Sequence, residues 1–267
     1  MHVAILVVVA LAACSSCSEH GPLTQPGAPA SDQLRVVSYN VNFGLAGDPV
    51  GVRAVGPLRG DIVFLQETNE AWETAFVDAL GRRYPHHRFT HPKDWPAGGM
   101  GVLSRYPIES ITELPTVGGF FFAWRVVVKT NLGRIQVLNV HLRPPMSDGG
   151  SWVVGYFSTR ENRLQEIEHH LAALDPKLPT LIVGDFNEES DGLALNRLAR
   201  LGYGDATAQF HPKKPTWKWT VSSGVTLRFQ LDHILHDMHF VPVASQIVDA
   251  GHSDHLPIWT DFERVDP

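Results

Sequence analysis

The stretch Pro179-Thr180-Leu181-Ile182-Val183-Gly184-Asp185-Phe186-Asn187-Glu188 decides how this chain is read. Leu181, Ile182 and Val183, two of them β-branched, predict a short buried strand. Gly184 is expected to end that strand and permit a sharp turn. If the backbone stays extended, Asp185 and Asn187 point to one side. A buried strand then delivers a carboxylate and a carboxamide to one spot at its C-terminal end. Such a pair suits a metal ion or a phosphate, but it also suits a plain polar loop after a core strand. The choice rests on whether other strands end on similar groups.

Several do. Upstream, Phe120 to Lys129 alternates and Arg134 to Leu142 pairs with it across Asn131-Leu132-Gly133 as a hairpin, whose second arm ends with Asn139 and His141 on one face. Asp61-Ile62-Val63-Phe64-Leu65-Gln66-Glu67 is an apolar run that stops at a carboxylate, after which Thr68 or Asn69 can cap a helix carrying Trp72, Phe76, Val77 and Leu80. Near the start, Val37, Tyr39, Val41 and Phe43 alternate with Ser38, Asn40 and Asn42. His86-His87-Arg88 reads as a solvated turn rather than a metal site, and Gly98 to Ile108 as glycines, a short strand and a proline-set bend.

Between Pro144 and Ser158 a Gly- and aromatic-rich loop with Trp152, Tyr156 and Phe157 reads either as a substrate- or membrane-facing lip or as core packing. A helix is predicted from Arg160 to Leu174, with Leu164, Ile167, Leu171 and Leu174 at helical spacing, and another from Leu193 to Leu201. Pro215 to Thr220 and Leu227 to Leu235 are expected to form a strand pair. Asp232 lies inside the second of these, where an unpaired charge is costly, so it requires a partner. His255, beside Asp254 in the turn before a last strand, is the natural one.

Separate strands thus end or turn on Asn40, Glu67, His141, Asp185 with Asn187, and Asp254 with His255, with Asp232 buried behind them. Carboxylate and amide oxygens without cysteine suit a hard cation such as Mg²⁺, Mn²⁺ or Ca²⁺. Each segment has a dull explanation alone, but the set is hard to explain that way.

The segments Ser-Tyr-Asn-Val-Asn, Phe-Leu-Gln-Glu-Thr, Gly-Val-Leu-Ser-Arg-Tyr-Pro-Ile, Asn-Val-His-Leu, Gly-Asp-Phe-Asn, Leu-Asp-His-Ile-Leu and Ser-Asp-His-Leu-Pro occur in this order between Leu34 and Phe262. In these the chain resembles the endonuclease/exonuclease/phosphatase superfamily. The resemblance implies an α/β fold, a four-layer sandwich of two mixed sheets flanked by helices. It implies Glu67 as main metal ligand, with Asn40, Asn42 and Asp254 near the ion. Asp185 and Asn187 would orient the attacking water and hold phosphoryl oxygens. His255, fixed by Asp232, would be general base or phosphate stabiliser, and His141 would bond a phosphoryl oxygen or help the leaving group. The reaction implied is hydrolysis of a phosphoester. Segments diagnostic of the inositol 5-phosphatases, abasic-site endonucleases and pancreatic-type deoxyribonucleases are missing, including an upstream Glu for His141 near Gly98 and Gly99.

The 267 residues are ample for one large domain, and a formal charge of −6 argues mildly against a tight, nonspecific nucleic-acid binder. Val3 to Ala13 is apolar but too short to span a bilayer, and Leu11-Ala12-Ala13-Cys14 resembles a bacterial lipobox, although no cation precedes it. Both cysteines, Cys14 and Cys17, lie in this segment, so the folded part has no disulfide and no thiolate ligand. The expected organisation is a lipoprotein signal over 1–13 with lipidation at Cys14, a flexible tether over 14–32, and a catalytic domain over 33–267. The expected setting is extracytoplasmic, on a membrane (the outer one, by the rule for Ser15) or secreted, and as a monomer.

The first functional reading is a nuclease-like phosphodiesterase. The alternatives are a phospholipid or small phosphoester hydrolase and a noncatalytic binding lipoprotein. A groove lined by Arg53, Arg105, Arg125, Arg143 and Arg160 would favour a polyanionic strand as partner, and a projecting aromatic lip would favour lipid.

Overall fold

A computed structural model describes residues 26–265 apart from 94, 119, 147–151 and 221–223, and of residues 152–154 the backbone only. The signal over 1–13, Cys14 and most of the tether lie outside the described residues, as does the Trp152 side chain. Along the first half of the chain the strands are β1 (Gln33–Asn40), β2 (Ile62–Gln66), β3 (His86–Thr90), β4 (Met100–Ser104), β5 (Ile108–Leu114), β6 (Ala123–Thr130) and β7 (Gly133–His141). The second half adds β8 (Thr180–Asp185), β9 (Gly204–Asp205), β10 (Trp217–Thr220), β11 (Thr226–Phe229), β12 (Asp232–His236), β13 (Phe240–Ile247) and β14 (Ile258–Arg264). The helices are α1 (Pro49–Val55), α2 (Glu70–Leu80), α3 (Trp152–Ser158), α4 (Arg160–Leu171), α5 (Leu193–Arg200) and α6 (Ala206–Phe210).

Two six-stranded sheets form, in the orders β13-β14-β1-β2-β4-β3 and β5-β6-β7-β8-β12-β9. Each is mixed, with one parallel pair at its centre, β1 with β2 and β7 with β8. Alternation explains the layering. Leu34, Val36, Ile62 and Phe64 face Val126, Val137, Leu181 and Val183 between the sheets. On the other side of the first sheet, Val37, Tyr39, Val63 and Leu65 pack against Trp72 and Phe76 of α2 and Val52 and Val55 of α1. Leu138, Val140 and Ile182 likewise pack on Ile167 of α4 and Leu195 and Leu198 of α5. The result is the four-layer sandwich. Burial on both faces keeps the central strands apolar until their ends, and polar groups gather there.

Local chemistry sets the helix starts. Asp48 accepts the N–H groups of Val50 and Gly51 before Pro49-led α1, and Asn69 accepts that of Trp72 at the start of α2.

Several sequence expectations change. Gly184 does not end its strand but lies inside β8, paired with Val140 on one side and His233 on the other. Its φ is +133°, and a Cβ there would sit 2.0 Å from the Val140 carbonyl oxygen. Gly184→Ala is therefore expected to cost at least ~2 kcal/mol, read as a lowered urea midpoint, because left-handed strain and a backbone clash add. Beyond it the chain does not stay extended: Asn187 has φ 53°. His86-His87-Arg88 is the start of edge strand β3 rather than a turn, held by β4. The region after 151 forms α3 rather than a loop. The run expected as one strand from Leu227 to Leu235 is broken at Gln230-Leu231 into β11, which hairpins with β10, and β12, which joins the second sheet. Phe43 leaves the strand and is exposed.

Candidate active site

The site forms where β1 and β2 of one sheet and β7 and β8 of the other end side by side. Asn40, the last residue of β1, donates from Nδ2 to Oε1 of Glu67 at 2.9 Å and to Oδ2 of Asp185 at 3.1 Å. One amide thus bridges carboxylates carried by two sheets. Directly behind, Gln66 donates from Nε2 to Oδ1 of Asn139 at 2.7 Å, a second polar link between the sheets. Glu67 takes φ 60° after β2, and the Phe43 N–H donates to its Oε2 at 3.2 Å.

Oδ2 of Asp185 is the hub of the cluster. Nε2 of His141 and Nε2 of His255 each lie 3.5 Å from it, and Nε2 of His141 lies 3.9 Å from Oε1 of Glu67. Nδ1 of His255 meets the Asp232 carboxylate at 2.9 and 3.1 Å, the pairing read from the sequence. Asp232 is placed at the start of β12 by Thr216, whose Oγ1 accepts the N–H groups of Leu231 and Asp232. His141 stacks on Phe121, with ring centroids 4.1 Å apart, and among the described residues no carboxylate meets its buried Nδ1.

Asn42 and Asp254 make an outer pair: Nδ2 of Asn42 donates to Oδ1 of Asp254 at 2.8 Å, and the Trp217 indole N–H donates to Oδ2 at 2.8 Å. Ser253 ties this turn to β1, donating to the Asn40 carbonyl at 2.8 Å and accepting the His255 N–H at 3.1 Å. The Asn187 N–H donates to Oδ1 of Asp185 at 2.9 Å and its Nδ2 to the Leu142 carbonyl at 3.0 Å, so it clamps the turn beside the hub.

Burial dominates the electrostatics. It raises the Glu67 carboxyl, and the negative charge of Asp254 adds to the rise against the Asn40 hydrogen bond. It pushes the Asp185 carboxyl up to about 7, although the charge of His255 works the other way. It lowers His141 to about 3, aided by the charge on His255, so this ring is neutral. For His255 burial opposes protonation, but Asp232 and Asp185 outweigh it and lift the ring to about 10. The cluster therefore holds one imidazolium and one neutral imidazole.

His233, the residue after Asp232, is a second charged ring, used for structure. Its Nδ1 faces Oδ2 of Asp205 at 2.7 Å, and its Nε2 faces the carbonyls of Glu188 and Gln230 at 3.1 and 3.2 Å. Acceptors at both nitrogens require both to carry hydrogen. Burial lowers the ring's pKa, but Asp205 outweighs it and the net shift is upward. The stability this pair supplies is complete below the unfolded pKa of about 6.5 and is lost as pH rises through the folded value. His255 adds to the same slope. The urea midpoint should fall above neutral pH, and less steeply in His233→Asn.

A divalent cation fits these residues. Glu67 is a half-buried and Asp185 a buried carboxylate, bridged by a neutral amide, and among the described residues no Lys or Arg bonds to either. Ligand atoms of Asp185, Asp232 and His255 also lie within 4.8 Å of one another. Asp232 is committed to the His255 ring N–H, and Asn40 turns its Nδ2 toward the carboxylates while its Oδ1 accepts the Asn42 N–H, so Glu67 and Asp185 are the better hard donors.

The structure thus brings Asn40, Glu67, His141, Asp185, Asp232 and His255 together, sets Asn42 and Asp254 one step outward, and ties Asn187 to Asp185 through its backbone N–H. Thr216, Trp217, Ser253 and Phe121 had no place in the sequence reading. Only Ser253 carried a signal, its position in Ser-Asp-His. The five arginines do not share one groove. Arg105 pairs with Asp61 at the opposite end of β2 from Glu67. Arg125 bonds Gln136 on the outer side of the second sheet. Arg53 lies on α1 beside His252 and Asp249. Exposed apolar residues stand nearer: Phe43 beside Glu67, Trp95 stacked through Phe120 and Phe121 toward His141, and Trp219 beside Trp217, which adjoins His255. Phe157, also exposed, packs on Tyr156.

The profile of the endonuclease/exonuclease/phosphatase family matches residues 37–255. No curated protein matches the chain. Among solved structures, an endonuclease/exonuclease/phosphatase from Beutenbergia cavernae superposes with a TM-score of 0.70 at 20% identity, covering 87% of this chain and 72% of that one. Sphingomyelinase C from Streptomyces griseocarneus gives 0.61 at 20% identity, covering 86% and 99%. TDP2 from C. elegans gives 0.63 at 16% identity, covering 89% and 77%. At these identities the structural matches speak for the fold alone.

Proposed function

Because the chain belongs to the endonuclease/exonuclease/phosphatase family, whose members are usually phosphoesterase hydrolases that use divalent metals, we propose that it hydrolyses phosphodiester bonds by in-line attack of water. The observation that carries this reading is the convergence on Oδ2 of Asp185 of Asn40, His141 and His255. Asp185, lifted to about 7, is poised to take the proton of the attacking water near neutral pH. His255, held protonated and oriented by Asp232, donates from Nε2 to a phosphoryl oxygen. Neutral His141 offers Nε2 to a second oxygen or to the leaving group. Glu67 would be the main ligand of Mg²⁺, Mn²⁺ or Ca²⁺, with Asp185 beside it and Asn40, Asn42 and Asp254 near the ion. That ion would offset the charge that builds on the phosphoryl oxygens.

The surface around the mouth favours a lipid phosphodiester over a nucleic-acid strand. Phe43, Trp95 and Trp219 are exposed aromatic groups near the site, as an interfacial substrate would require, whereas Arg105 and Arg125 are elsewhere. Lipidation at Cys14, attachment to a membrane in an extracytoplasmic space and action as a monomer are parts of the same proposal. The deciding experiment offers purified protein sphingomyelin or phosphatidylcholine vesicles, plasmid DNA, RNA and inositol phosphates with each cation, with EDTA as blank. Metal-dependent release of headgroup from vesicles is expected. Cutting of plasmid with intact lipid would restore the nuclease reading, and inertness toward all of them would leave the binding lipoprotein.

A further inference from the structure

Beneath the site lies a second ionic cluster that takes no part in the chemistry above. Arg163 of α4 and Glu188, the residue after Asn187, are both fully buried, with Nε of Arg163 3.2 Å from Oε2 of Glu188. The same guanidinium donates from Nη1 to Oγ1 of Thr159 at 2.6 Å and to the Arg143 carbonyl at 3.3 Å, and from Nη2 to the Tyr156 carbonyl at 2.9 Å. Oε1 of Glu188 accepts the N–H groups of Ala194 and Leu195 in the first turn of α5, at 2.7 and 3.0 Å. The backbone makes room for this carboxylate: a Cβ on Gly192 would come within 2.2 Å of its Cδ.

Those contacts reach both catalytic loops. Arg143 follows His141 by two residues. Its N–H donates to Oε2 of buried Glu166 at 2.8 Å, one turn along α4 from Arg163. Asn187 donates to the Leu142 carbonyl, and the Leu142 N–H donates to the Asp185 carbonyl at 2.9 Å. A single planar fork therefore spans the chain after His141, the chain after Asp185 and the C-terminal part of α3. Stability alone gives little reason to bury such a pair, since well-packed apolar replacements are often as stable or more so. Arg offers what an apolar group cannot, several donors in fixed directions.

We propose that the Arg163–Glu188 pair is the positioning device of the active site, fixing the segments that follow His141 and Asp185, and through them the two strand ends that carry these residues. The inference rests on the hydrolytic reading given above. In Glu188→Gln an oxygen remains for α5 but the charge is lost, and in Arg163→Lys the charge remains but the fork is lost. Each is expected to lower kcat on bis(p-nitrophenyl) phosphate ~10- to 100-fold while KM changes less than about threefold, as misplacement of reacting groups does. The paired variant Arg163→Met with Glu188→Leu removes both charges together, so it is expected to melt no earlier than either single variant and, assayed below that temperature, still to lose kcat to the same extent.

If the pair serves folding only, the apolar double variant keeps kcat within about twofold of wild type, and the inference falls while the hydrolytic reading stands. If wild type hydrolyses no phosphoester, that reading falls and NMR decides the positioning separately. Displaced imidazole resonances of His141 in both single variants uphold it, and unmoved resonances overturn it.

Discussion

Replacing His255 is expected to cost at least ~100-fold in kcat with KM little changed, because its charged Nε2 is the donor aimed at the phosphoryl group. The choice of substitution matters. His255→Ala strips Asp232, 1% exposed, of its ring partner. An uncompensated buried charge of that kind costs about 3–5 kcal/mol, so lost activity could be lost fold. His255→Gln keeps a donor for Asp232 and removes only the imidazolium. Both variants should lose turnover alike while only the first melts markedly earlier. Glu67→Ala should lose as much through a different route, with Mn²⁺ affinity by titration calorimetry falling in step. An unchanged turnover number in His255→Gln or Glu67→Ala would defeat the assignment.

Asp185→Asn carries the second large effect, again at least ~100-fold in kcat, and it also changes the pH profile. In wild type, kcat/KM should rise with pH through a limb at or below about 7, since burial lifts the Asp185 carboxyl to about that value and a bound cation pulls it down. The asparagine cannot titrate, so the limb should vanish from the residual activity. The stability effect has the opposite sense. Asp185 holds its proton more tightly folded than unfolded, so its ionisation weakens the fold as pH rises from the unfolded value to about 7. Without metal, Asp185→Asn should therefore be the more stable protein above neutral pH. A variant that keeps the wild-type acid limb would show that another group takes the proton.

Legibility differed from residue to residue for physical reasons. Asp232 and His255 were paired from the sequence because a charge inside an apolar strand has few tolerable fates. Asn40, Glu67, His141 and Asp185 were visible because each interrupts an apolar run at its C-terminal end. Trp217 was invisible: its role depends on β10 lying against the His255 turn, and nothing within its own segment announces that. Arg163 and Glu188 carry no signal in the sequence, since the pattern of α4 says which face is apolar but not that a cation lies within it. The extended backbone expected at Asn187 is not found, because two-residue alternation ends where the left-handed turn begins.

The order of apolar runs, their punctuation by glycine and asparagine, and the acids and amides at their ends are properties of the chain itself. They determined buried strands, separate helices and polar groups at one set of strand ends, because burying both faces of a strand leaves only its ends for polar chemistry, while the two mixed sheets were what the family resemblance implied. Tertiary structure decided which of those groups touch. Asn40 bonds Asp185 across the two sheets only because sheet packing sets the spacing between them, and that spacing comes from side chains far from either residue. Pairing across a sandwich depends on distances that no local pattern encodes.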